Sequence, residues 1–106
     1  MIDWTQLETP EARAAAQQAH RQAVARAECQ RRLLAVASEA TQINMAAAAA
    51  AGLLPKDQMT TYRAWVEWVA AMRVQAAVLA DKALDPTDDA CWPECPPEAI
   101  ALARAF

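Results

Sequence analysis

The sequence predicts an all-α fold, a long helical hairpin, and three observations carry that prediction. The chain contains one glycine, Gly52, directly after the six-alanine run Ala46–Ala51. No proline or glycine interrupts the stretch between Pro10 and Ala51. Beyond Pro55 the apolar residues recur at spacings of three and four, the period of a helix with one buried stripe. Alanine is the strongest helix former, and glycine just past a helix end accepts the left-handed conformation that closes it. The expected order is a lead-in over 1–8, a helix over about 10–51, a turn at 52–54 and a helix over about 55–83. A Pro-rich extended tail with a short terminal helix then occupies 84–106.

Within the lead-in, Ile2, Trp4 and Leu7 offer an apolar anchor. The first helix starts at Thr9-Pro10-Glu11. Thr9 serves as N-cap, Pro10 takes the first helical position where its missing N–H costs nothing, and Glu11 complements the positive helix end. A helix reaching Ala51 would be ~60 Å long at the α-helical rise. Its first half, Glu11–Arg32, is rich in Ala, Gln and Arg, with Glu28 and Arg32 placed as a favourable i,i+4 pair. Its second half, Leu33–Ala51, has Glu39 as its one charge and Leu33, Leu34, Val36, Ile43 and Met45 for bulk. That half is expected to be buried on more than one side, with the alanine run letting a neighbouring helix approach closely.

The second helix opens at Pro55, carries Asp57 in its first turn and stops before Asp85-Pro86. Its expected buried stripe is Met59, Tyr62, Val66, Val69, Met72, Ala76, Leu79 and Ala83, with Trp65 and Trp68 on its margins. Large aromatics at the edge of a stripe are typical interface anchors, so their truncation is expected to weaken partner binding more than helix content. This helix is the shorter of the two, which leaves the turns around Ala12–Arg21 uncovered. The tail holds Pro86, Pro93, Pro96 and Pro97, and Pro97-Glu98 starts a last helix through Ala99, Ile100, Leu102 and Phe106.

Composition narrows the function classes. At 106 residues the chain forms one domain at most. Its hydrophobic fraction of 56% is dominated by alanine, so the core is thin. A net charge of −3 argues against general nucleic-acid binding, which needs a basic face. The most apolar stretch, Leu33–Leu54, contains Ser38, Glu39, Thr41, Gln42 and Asn44, which a bilayer core would penalise. The segment Met1–Leu7 lacks the basic and apolar regions of a signal peptide, and three cysteines, Cys29, Cys91 and Cys95, fit a reduced cytoplasmic site of synthesis.

Sites for chemistry are sparse. Cys91 and Cys95 form a C-x3-C pair, but with His20 as the only histidine there is no second half of a zinc motif. Ser38, the only serine, falls mid-helix in this reading with no base near it, and one glycine cannot build a phosphate loop. Asp85, Asp88 and Asp89 read as a solvated turn, since the glycine and closing glutamate of a calcium loop are missing. The arginines of the first helix, interleaved with glutamates, read as a solvated face. No cofactor is expected. An overlong helix with a small core suits self-association or a heterologous partner, and the candidate partner-binding residues are Trp4, Tyr62, Trp65, Trp68, Trp92 and Phe106.

Met59-Thr60-Thr61-Tyr62-Arg63-Ala64-Trp65, followed by Asp85-Pro86 and then Trp92-Pro93-Glu94-Cys95-Pro96, resembles the C-terminal segment of small tailed-phage tail proteins, including the tail-fibre assembly family. Thr41-Gln42-Ile43-Asn44-Met45 is similar to the Gln-x-Asn segment before the helical hairpin of tail-fibre-associated sequences. The resemblance covers roughly residues 41–97. It implies a non-enzymatic protein of the virion tail, made in the host cytoplasm, with tail-fibre or baseplate subunits as partners. The alternative is a tail-fibre assembly chaperone that leaves the particle; the family's strand-like N-terminal domain is replaced here by a long helix, which favours the structural role. As packing, Trp92 between prolines is expected to lie on the Tyr62/Val66 face and tie the tail along the second helix.

Overall fold

A computed structural model describes residues 9–106, so the lead-in with Ile2, Trp4 and Leu7 lies outside the described residues. The described chain is helical, in the order α1 (Pro10–Val36), α2 (Glu39–Ala50), α3 (Lys56–Asp81), a 3₁₀ turn (Asp89–Cys91) and α4 (Pro97–Arg104). The all-α hairpin with a long first helix and a short terminal one is therefore the architecture. It is elongated, with extents of 68 × 27 × 17 Å and a radius of gyration of 18.8 Å, against about 13 Å for a compact chain of similar length.

The start of α1 is as expected: the Thr9 hydroxyl accepts from the Ala12 N–H at 3.0 Å, with Pro10 at the first turn and Glu11 beside it. The helix does not run on to Ala51. Ala37 and Ser38 are both extended, and Ser38 caps a new helix by accepting from the Thr41 N–H at 3.1 Å. The Gln42 side-chain amide donates to the Ala37 carbonyl at 2.9 Å, so the acceptor released by the break is satisfied. A serine hydroxyl offers the backbone this alternative to the helix ladder, and Glu39 in the new first turn adds charge of the favoured sign.

Gly52 does close α2, with φ +71°. The Leu53 N–H reaches the Ala48 carbonyl at 2.9 Å and the Gly52 N–H the Ala49 carbonyl at 3.2 Å, the paired bonds of a Schellman end. The same device ends α3 with no glycine. Leu84 bonds to Leu79 at 3.0 Å and Ala83 to Ala80 at 3.2 Å, and Ala83 sits at φ 52°. Ala83 is thus outside the helix and exposed, not part of a buried stripe. Pro55 caps α3 from outside.

α3 packs antiparallel on α1, and α4 lies against both α3 and α2. The register is fixed at one end by the Gln18 amide on the Asp81 carboxylate at 2.8 Å and by the Arg21 guanidinium on the Ala80 carbonyl at 3.1 Å. Coverage of α1 therefore begins at Gln18, and Arg21, expected to be bare, is covered. The core consists of Ala25, Cys29, Leu33 and Ala37 from the first helix and its end, Met45 from α2, and Trp65, Trp68, Met72, Ala76, Leu79 and Ala80 from α3. Trp92, Ala99, Leu102 and Ala103 complete it.

Two packing expectations fail. The tryptophans are the centre of the α3 stripe, at 4% and 7% exposure for Trp65 and Trp68, while Val66 is 47% exposed. The indoles take the centre that Val66 is expected to share, while Val69 stays partly buried and Met72, Ala76 and Leu79 are buried as expected; aromatic area dominates core energetics. Nor is the stretch after Leu33 buried on several sides. Met45 is the one buried residue of α2, while Leu34 and Ile43 are exposed. Ala46, Ala47, Ala50 and Ala51 face solvent, so the alanine run is not a close-packed helix contact.

Candidate functional site

The tail is clasped to one side of the α1/α3 pair. Glu28 and Arg32, four residues apart, form a row on that side of α1. The Arg32 Nε donates to Glu28 at 3.0 Å, and its Nη2 donates to Asp89 at 2.7 Å and to the Thr87 carbonyl at 3.3 Å. Its guanidinium also lies 5.4 Å from the centre of the Trp92 ring, within cation–π range. Glu28 is shared with Arg31, which reaches it at 2.6 and 2.9 Å. The Arg31 hydrogen bonds hold the Glu28 carboxyl below its ordinary range, with burial opposing and both arginine charges assisting.

From α3, the Trp68 indole donates to the Pro93 carbonyl at 3.0 Å and the Gln75 amide to the Cys91 carbonyl at 2.6 Å. The Trp92 indole donates to the Pro86 carbonyl at 2.7 Å. A buried indole N–H needs such a partner, and here proline carbonyls supply it. Trp92 accordingly shares a cleft with Arg32, Val36, Trp68 and Met72, and Val66, on the face expected to receive it, is 47% exposed. The Asp85 carboxylate turns the chain into the clasp by accepting from the Thr87 N–H and hydroxyl at 2.9 and 2.7 Å, and these bonds lower its pKa.

These placements settle what the sequence-named aromatics touch. Trp65, Trp68 and Trp92 are 4%, 7% and 7% exposed and packed inside this chain, with Trp65 and Trp68 rings 5.5 Å apart. Trp68 and Trp92 are bonded to carbonyls of the tail, so little of either indole is left exposed. Tyr62 is half-buried against the same core. Phe106 is 39% exposed at the C-terminal turn. Trp4 lies outside the described residues.

The opposite side of the helix pair is open. Arg26 and Gln30, also four apart, form a row across the buried line Ala25–Cys29–Leu33 from Glu28 and Arg32. With Cys29, Leu33, Arg73 and Ala76 they line a cleft of about 300 Å³. A second cleft of about 240 Å³ continues along the groove, lined by Gln22, Arg26, Arg73, Ala76 and Ala77. One guanidinium stands on each wall, and no carboxylate lines either cleft. Burial raises the pKa of the Cys29 thiol, with the Arg73 charge opposing. Reading the sequence as a solvated arginine face missed this pairing, since Arg26 and Arg73 are far apart in sequence and only the antiparallel register joins them.

Among the described residues, no three His, Cys, Asp or Glu side chains come together as a metal ion would need. Cys29, Cys91 and Cys95 are free thiols, and the Ser38 hydroxyl is engaged as a cap. No helix of the described residues is long and apolar enough to cross a membrane. The chain matches no family model, no curated protein and no solved structure. Its chemistry must be read from its own surfaces.

Proposed function

We propose that this chain is a non-enzymatic helical adaptor that joins other polypeptides, and that those partners are tail-fibre or baseplate subunits of a tailed phage. The observation that carries the adaptor reading is α2. It holds one charged residue, Glu39, and its one buried side chain is Met45. Ile43, at 66% exposure, and Leu53 just beyond the helix, at 74%, stand in solvent beside the bare alanines. A helix apolar on most of its circumference is normally covered. A partner subunit seated on α2 would bury what the chain leaves open.

The phage context rests on the resemblance of Tyr62-Arg63 and Trp92-Pro93-Glu94-Cys95-Pro96 to the tail proteins. Mass spectrometry of purified particles tests it: the chain at a fixed stoichiometry to tail subunits supports a structural adaptor. Its presence only in assembly intermediates would support the chaperone alternative, and its absence from both would reject the tail reading.

A further inference from the structure

The groove opposite the tail clasp combines features that select a ligand class. Arg26 and Arg73 line both of its clefts, and neither has a carboxylate partner among the described residues. The other arginines that touch the tail or the helix end, Arg21 and Arg32, are bound to protein acceptors. The floor of the first cleft is closed by Leu33, Cys29 and Ala76, all nearly fully buried, so its accessible rim is left to polar side chains. From Gln22 to Leu33 the groove follows α1 for ~16 Å at the helical rise, the reach of about five extended residues. It is too long and open for a compact small molecule, whose pocket would enclose it. Two guanidiniums are too few to favour a polyphosphate backbone, which gains affinity from many cations together.

We propose that the Arg26–Arg73 groove receives an acidic segment of a partner polypeptide, whose carboxylates take the two guanidiniums that line it. This inference rests on the adaptor reading and gives that adaptor a second contact, on a different face from α2. Charge complementarity selects the occupant: both guanidiniums lack a carboxylate partner among the described residues, and arginine–carboxylate contacts are both directional and stronger than neutral ones.

The test is a titration of the full ¹⁵N-labelled chain with a blocked pentapeptide alternating leucine and glutamate. The controls are the same peptide with glutamine for glutamate, and sodium acetate at equal carboxylate concentration. The proposal expects shifts at the Arg26 and Arg73 Nε–H and at the Cys29 and Ala76 amides. Affinity should fall at least about tenfold for the glutamine peptide and for the Arg26→Gln/Arg73→Gln double variant. Both side chains are exposed, so circular dichroism should show an unchanged fold. No shift at these groups, equal binding of the glutamine peptide, or identical shifts with acetate would overturn it. So would a doubled solution mass that the double variant abolishes, since a second copy would then fill the groove. A chain found in tail particles whose groove ignores the peptide would leave the adaptor reading standing and remove the groove. Peptide binding by a chain absent from such particles would do the reverse.

Discussion

The Arg32 guanidinium lies 5.4 Å from the centre of the Trp92 ring while its nitrogens donate to Glu28 on α1 and to Asp89 in the tail. One side chain thus ties a helix to a segment more than fifty residues later. Its side chain is 15% exposed, so its bonds are partly shielded from water. Arg32→Ala is expected to cost about 1–2 kcal/mol, summing a cation–π contact and charge-assisted bonds discounted for the exposed Asp89. Arg32→Lys should recover part of that, as a point charge that cannot fork to two acceptors. Urea unfolding followed by circular dichroism checks both.

Trp68 joins α3 to the tail through its indole bond to Pro93 and sits in the core at 7% exposure. Trp68→Ala is expected to cost about 3–5 kcal/mol, a large part of the stability of a domain this size. Helix content and partner binding should then fall together. The sequence-based expectation that binding falls first is replaced by this one, and thermal melts by circular dichroism beside a binding assay measure it.

Two helix ends make a matched pair. Gly52 and Ala83 occupy the same position of the same Schellman motif at φ +71° and +52°. A Cβ at Gly52 meets nothing within 4 Å, so Gly52→Ala should cost only the backbone strain of about 1 kcal/mol. Ala83→Gly should stabilise by about 0.5–1 kcal/mol, the relieved strain less the added entropy of the unfolded chain. Thermal midpoints of the two variants should move in opposite directions.

Glu28 has a folded-state pKa below its ordinary value because Arg31 hydrogen-bonds its charged form. A lowered carboxyl pKa contributes stability above the unfolded value, about 4.3, and that contribution is lost as pH falls through the folded value. The thermal midpoint should therefore drop in acid below about pH 4.3, and Glu28→Gln should flatten that drop while lowering the midpoint at neutral pH.

Local backbone chemistry was legible in the sequence. Thr9-Pro10, Gly52 and Pro97 each mark a helix boundary that the structure has, because capping and φ preferences act over a few residues. The period of α3 was also legible, but not its phase. Val66 and Trp65/Trp68 each fit spacings of three and four with the shared Met72, Ala76 and Leu79, and the larger indole area decides which side is buried. A single serine within an alanine-rich stretch reads as tolerable mid-helix; the capping bond of Ser38 to Thr41 is local, but the break also buries Met45 in the core, which is tertiary. Arg32–Trp92 and Arg26–Arg73 are joined by tertiary register alone, and no spacing along the chain announces them.

The adaptor reading is tested most directly by Ile43→Asp on α2. Ile43 is 66% exposed, so the substitution should leave stability within about 0.5 kcal/mol. The wild-type and variant chains would each be co-purified with tail-fibre and baseplate subunits expressed from the same genome. The account predicts retention of a tail subunit by the wild type and its loss by Ile43→Asp at an unchanged thermal midpoint. Retention of the same subunit by both chains, or by neither, would contradict it.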